Sequence, residues 1–104
     1  MSEVEEDLRR REIFDNLNKY LVEIKKVIKQ IDKNARVFLF GSVAKGNWTY
    51  SSDIDILIVT ERKASYVLSQ LHEKGFSEPF EFHVISNKWL EWYAWYNEGN
   101  LIEL

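Results

Sequence analysis

The sequence predicts an α+β fold, a small mixed β-sheet of three or more strands flanked by helices. Three observations lead there. The stretch before Gly41 contains neither Pro nor Gly and repeats its apolar residues at intervals of three and four. Three short runs read as strands: Arg36 to Phe40, Asp53 to Thr60 with heavy β-branching, and Phe80 to Ser86 with alternating polarity. Helical periodicity returns between the second and third runs and again after the third.

Taken in order, Ser2 followed by Glu5 has the form of a capping box and opens one long helix, or two in line. Phe14, Leu17, Leu21, Ile24, Ile28 and Ile31, with Ile13, Tyr20 and Val27 alongside, make a stripe wide enough to cover a sheet. Before Ile13 the stripe thins to Val4 and Leu8, so Glu3 to Glu12 is expected as a solvated helical extension. Between the first two strands, Gly41 to Gly46 can hold about one helical turn, opened by Ser42 and closed by Gly46, before a loop from Asn47 to Ser52. From Arg62 to Lys74 the residues Ala64, Val67, Leu68 and Leu71 share one helical face, and Gly75 supplies the stop. On the third strand Phe80, Phe82 and Val84 point one way and Glu81, His83 and Ile85 the other. Ser86 is then placed to cap a final helix reaching about Asn97, rich in Trp and Tyr. No repeat or linker divides the chain, and residues 1–104 are expected to form a single domain.

Composition narrows the function. At 104 residues there is room for one core but not for a catalytic and a substrate domain together, so a bulky acceptor must be held by another chain. The 45% hydrophobic content argues against disorder. Lys and Arg number 14 against 17 Asp and Glu, without a separate basic block, which argues against an extensive nucleic-acid surface. There is no cysteine, so disulfides and thiolate zinc sites are excluded. The charged amino terminus is not a secretory signal and nowhere do 18 apolar residues run together, so a cytoplasmic protein with no membrane segment is expected.

The chemistry concentrates in Phe40-Gly41-Ser42, ten further residues, then Asp53-Ile54-Asp55 at the head of a strand. Residues two apart on a strand share a face with Cα atoms about 6.6 Å apart, so Asp53 and Asp55 project together while Ile54 turns inward. Carboxylates that close repel, and a divalent cation relieves the repulsion; Mg²⁺ favours one or two carboxylates completed by phosphate oxygens and water. A glycine at the strand end lets backbone approach a phosphate, and the helix it opens points free N–H groups outward, to which Ser42 adds a hydroxyl. Lys45 is a candidate counter-charge in the same turn, and Ser52 a further candidate on the nucleotide side or else a turn residue. Glu81, on the neighbouring strand at a spacing of about 4.8 Å, could supply a third carboxylate for a second metal or accept the acceptor's proton. His83 is expected merely at the sheet surface, His72 as a favourable charge near a helix terminus, and Trp48 and Tyr50 as loop anchors.

Gly-Ser, ten residues, then Asp-x-Asp resembles the signature of the minimal nucleotidyltransferases of the polymerase-beta-like superfamily. The likeness is close from Phe40 to Val59 and extends in element order to Trp95. It implies the polymerase-beta-like palm fold, triphosphate binding at Gly41 and Ser42, one or two Mg²⁺ ions at Asp53 and Asp55 with Glu81 as third acid, and ATP or another nucleoside triphosphate as substrate. Two departures stand out: Val43 where many members have arginine, and Glu81 where many have aspartate. The family further implies an antitoxin paired with a helical HEPN-domain ribonuclease, in some cases transferring AMP from ATP onto a tyrosine of that toxin. The competing reading is a nucleotide-binding module that neutralises its partner by occlusion. A third, modification of a small molecule such as an aminoglycoside, would require a homodimer to complete a pocket.

Overall fold

The computed structural model describes residues 2–104; Met1, at the head of the charged amino terminus, lies outside them. Among the described residues the helices are α1 (Glu3–Asp15), α2 (Leu17–Ile31), α3 (Gly41–Lys45), α4 (Ala64–Glu73) and α5 (Leu90–Tyr96). The strands are β1 (Arg36–Phe40), β2 (Ile54–Val59), β3 (Phe80–Ile85) and β4 (Ile102–Glu103). They form one sheet in the order β3-β2-β1-β4, with β1 antiparallel to both β2 and β4, and β2 parallel to β3. The α+β mixed sheet read from the sequence is the fold observed.

The long amino-terminal helical stretch is two helices. Asn16 leaves helical geometry, and its side-chain amide donates to the Glu12 carbonyl at 2.9 Å, a local bond that competes with the helix ladder. Ser2 does cap α1, its hydroxyl accepting from the Glu5 amide at 3.2 Å. The apolar stripe then buries Ile13, Phe14, Leu21, Ile24 and Ile28 against one face of the sheet. Val67 and Leu71 of α4 join them on Val37, Leu39, Ile54, Ile56, Ile58 and Phe80. Leu68, expected on that face, is instead exposed: successive helical residues diverge by about 100°, and the buried stripe is centred on Val67 and Leu71.

The opposite face carries a second, smaller core of Phe38, Phe40, Leu57 and Val59, covered by Ile85, Leu90, Tyr93 and Leu101. From Ile56 onward β2 is therefore buried on both sides, which accounts for the unbroken run of branched residues Ile56 to Val59. The final helix starts later than the sequence suggests, after a short 3₁₀ turn at Asn87–Trp89. Ser86 does not cap it. Its hydroxyl donates to Glu61 at 2.7 Å, and the same carboxylate takes the Asn87 amide at 3.0 Å, which holds Glu61 below the usual carboxylate range. β4 has no counterpart in the sequence reading; two residues long, it is tied to β1 through the register Phe38 with Glu103 and an exposed bidentate pair between Arg36 and Glu103. No helix among the described residues is long and apolar enough to cross a membrane.

Candidate active site

Strand direction assembles the site. β1 ends where β2 begins, and β3 begins beside β2, so Phe40 pairs with Asp55 and Asp55 with Glu81 in register. Gly41 follows Phe40 directly, with a left-handed φ of 74° that a side chain would strain. A Cβ added there would lie 3.1 Å from the Asp55 carboxyl carbon and nearer still to its Oδ2. Glycine is thus required twice at this position, by its dihedral and by the carboxylate packed on it.

Asp55, Glu81 and His83 each offer a donor atom, and these atoms lie within 4.8 Å of one another. The His83 Nε2 sits 3.5 Å from Asp55 Oδ1 and 3.6 Å from Glu81 Oε1. At those distances it makes contact with both charges without completing a hydrogen bond, and it is buried with no partner among the described residues. Phe40 meets the imidazole edge-on at 5.0 Å and fixes the plane of the ring. The approach of Asp55 raises His83 above the ordinary histidine value; burial opposes this, and the Glu81 charge adds to it. Desolvation, followed by the negative charge of Asp55, pushes Glu81 above the usual carboxylate range, with Asp53 contributing in the same direction.

The residues singled out in the sequence do not all converge equally. Asp55 and Glu81 meet beside Gly41. Asp53, just before β2 and exposed, stands close enough to Glu81 to influence its ionisation but outside the tight three-residue cluster. Ser42 is half-buried on the turn that follows Gly41, and Lys45 is exposed at the end of that turn. Ser52 serves the loop, its hydroxyl accepting from the Thr49 amide at 2.9 Å. Trp48 and Tyr50 anchor that loop, Trp48 stacked on Phe14 at 4.7 Å and Tyr50 donating to Asp15 at 2.7 Å. The sequence places His83 merely at the sheet surface, whereas the structure sets it beside both Asp55 and Glu81. The signal was its two-residue offset from Glu81 on one strand, although only the parallel register with β2 brings Asp55 to the same place.

Two carboxylates, a nearby third, and a buried imidazole nitrogen with an unused lone pair or proton form a donor set that fits a divalent cation. The polar hollow lined by Asp32, Asn34, Arg36, Glu61 and Arg62 lies at the other end of β2, and its charges are already engaged: Arg36 with Glu103, Asp32 with the Thr60 hydroxyl, Glu61 with the Ser86 hydroxyl and Asn87 amide, and Arg62 with the Ile31 carbonyl.

The nucleotidyltransferase domain pattern matches residues 21–100. The chain belongs to the nucleotidyltransferase domain family. This places it among the enzymes of nucleotidyl transfer, in the polymerase-beta-like superfamily. A crystal structure described as that of a "putative nucleotidyltransferase" superposes with a TM-score of 0.68 at 27% identity, covering 82% of this chain and 97% of that one. A second, described in the same words and from Sulfolobus solfataricus, has a TM-score of 0.52 at 21% identity, over 85% of this chain and 77% of its own, and shares the fold. Among curated proteins none matches the chain.

Proposed function

We propose that this nucleotidyltransferase transfers AMP from ATP, with Mg²⁺, to a hydroxyl of a partner protein, acting from one domain at residues 1–104 as the antitoxin of a HEPN-domain toxin. The observation that carries the transfer chemistry is the meeting of Asp55, Glu81 and His83 beside a glycine that no other residue can replace without displacing Asp55. Asp53, Asp55 and Glu81 would hold the cation, with His83 fixed between two of them. When bound, Mg²⁺ supplies charge neutralisation at the triphosphate and at the departing pyrophosphate.

Gly41 and Ser42 open the turn on which the triphosphate lies, offering backbone N–H groups and a hydroxyl, with Lys45 and Ser52 as further contacts. The acceptor oxygen attacks the α-phosphorus, the bond from that phosphorus to the bridging oxygen of pyrophosphate breaks, and the hydroxyl proton passes to the Glu81 carboxylate. Glu81 is the exposed carboxylate of the cluster, and the oxygen it does not turn to the cation is the acceptor for that proton. The remainder is positioning and charge stabilisation.

The protein acceptor is supported by surface chemistry. Trp89, Trp92, Trp95 and Tyr96 are exposed on and beside α5, Trp95 to 75%, and a groove of about 440 Å³ is bounded by Val84, Ile85, Ser86, Trp89, Trp92 and Tyr93. Large aromatics in such number on one short helix are characteristic of interfaces. The test is incubation with α-labelled ATP, Mg²⁺ and the helical product of the neighbouring gene. Label on that product, lost in Asp55→Asn with an unchanged circular dichroism spectrum, is the expected result. Equal labelling by wild type and variant would refute the assignment, and binding of the partner without label would leave only occlusion.

A further inference from the structure

The amino-terminal helix holds the two loops from which the acids emerge. Adjacent residues on a helix point about 100° apart, so neighbouring side chains can reach two different loops side by side. Arg10 and Arg9 do so. The Arg10 Nη1 donates to the carbonyl of Ser52 at 3.0 Å and to that of Tyr50 at 3.3 Å, immediately ahead of Asp53. Arg9 donates to the Glu78 carbonyl and, at 3.3 Å, to the Ser77 hydroxyl, just ahead of Phe80 and Glu81. The two loops are also joined directly, the Ile54 amide donating to the Pro79 carbonyl at 2.8 Å.

The surroundings make this a seat rather than a chance pair of contacts. Arg10 is 16% exposed, far less than a solvated helical arginine, and Glu6 one turn earlier lies 3.8 Å from Arg9 and 3.9 Å from Arg10. Arg11 covers the ring of Tyr50 at 4.8 Å, while Phe14 and Asp15 of the same helix hold Trp48 and Tyr50. Asp53 gains most. It precedes β2, so no ladder bond of that strand fixes it, and the peptide groups on its two sides are held by Arg10 at the Ser52 carbonyl and by Pro79 at the Ile54 amide.

We propose that Arg9 and Arg10 are positioning residues for nucleotidyl transfer: by clamping the loops 50–52 and 77–78 to α1, they set the direction of Asp53 and the approach of Asp55 to Glu81. The inference rests on the proposed function for its catalytic consequence, but the clamp has its own readout. Hydrogen exchange on the full-length chain should show amides of residues 47–54 exchanging about tenfold faster in Arg10→Ala, and those of residues 76–80 likewise in Arg9→Ala, because a charge-assisted hydrogen bond is lost in each. Amides of β1 and α2 should stay protected. In the same variants Mn²⁺ with ATP, followed by the Mn²⁺ paramagnetic resonance signal, should bind about tenfold more weakly. Arg10→Lys, which still places an N–H donor between the two carbonyls, should recover most of both effects, and Leu8→Ala, on an exposed face of α1, should change neither.

Unchanged loop exchange, or faster exchange throughout the chain, would overturn the clamp. Faster loop exchange with Mn²⁺ and ATP bound as in wild type would overturn its positioning role. If wild type itself binds no Mn²⁺ with ATP, the proposed function falls instead, and the clamp is judged by loop exchange and by displacement of the Asp53 amide resonance in Arg10→Ala.

Discussion

Replacing Gly41 by alanine imposes two separable costs. The first is conformational. At φ 74° an alanine pays about 1–2 kcal/mol for its left-handed backbone, partly offset by the reduced freedom of the unfolded chain. The second is a collision, since the new methyl would sit 3.3 Å from Asp55 Cβ, 3.1 Å from its Cγ and inside the contact distance of Oδ2. Asp55 must then withdraw by roughly 1 Å or change rotamer, and a displacement of that size in a catalytic group can cost about a hundredfold in rate. Gly46 supplies the control: its φ of 80° carries the same backbone cost, but an added methyl there meets nothing within 4 Å. Urea denaturation should therefore place Gly46→Ala about 1–2 kcal/mol below wild type and Gly41→Ala at least as far below it. Transfer of labelled AMP should fall about a hundredfold in Gly41→Ala alone. Wild-type transfer by Gly41→Ala, or an equal loss in Gly46→Ala, would refute the role given to the Gly41–Asp55 contact.

Other consequences follow from single residues. Asp32 accepts from the Thr60 hydroxyl at 2.6 Å and the Asn34 amide at 2.9 Å, which lowers its folded-state value; its contribution to stability is present above the unfolded value of about 3.9 and lost as pH falls through the lower folded one. Denaturation midpoints measured from pH 7 to pH 3 should fall less steeply in Thr60→Val than in wild type. Leu57 is fully buried between β1, β3 and the α5 side of the sheet, so Leu57→Ala should cost about 2–5 kcal/mol in urea melts. Trp95, 75% exposed, should behave oppositely: Trp95→Ala shifts stability by less than about 0.5 kcal/mol yet, under the proposed function, weakens capture of a HEPN-domain protein at least tenfold by calorimetry.

Much of this was legible before any coordinates. Arg36–Phe40 and the alternation after Phe80 follow from local rules of period and turn chemistry and stand where those rules put them, whereas the single turn after β1 begins at Gly41 with Phe40 in the capping position, not at Ser42, and only its close at Gly46 is as expected. What escaped depended on contacts between distant parts of the chain. β4 is two residues long and exists because Ile102 and Glu103 find an edge at β1; nothing in Leu101 to Leu104 alone distinguishes it from a tail. Ser86 has the side chain of a cap, but Glu61, 25 residues earlier, takes both the hydroxyl and the amide that a cap would have used. The α1 extension reads as solvated because its apolar stripe is thin, and Val4 and Leu8 are indeed exposed. Its attachment runs through Arg9 and Arg10 instead, and hydrophobic periodicity is blind to arginines that bind carbonyls. In the site, sequence alone placed Asp53 beside Asp55, whereas the tightest grouping is Asp55 with Glu81 and His83, made by pairing across strands.

That grouping is a consequence of chain direction. A parallel partner for β2 starts where β2 starts, so acids at the second positions of both strands meet at one end of the sheet without any special loop. An antiparallel β3 would have set the beginning of one strand against the end of the other and carried Glu81 the length of the strand away from Asp55. The antiparallel β1 has the complementary effect: because it ends where β2 begins, it delivers Gly41 to the Asp55 carboxylate. One parallel and one antiparallel neighbour on either side of β2 thus bring a strand end and two strand starts together. The fold needs the α4 crossover between β2 and β3 to achieve this, and α4 is also what buries Val67 and Leu71 on the helical face. The same element closes the core and makes the acids adjacent, so shortening α4 to remove the crossover should abolish the site and the fold together.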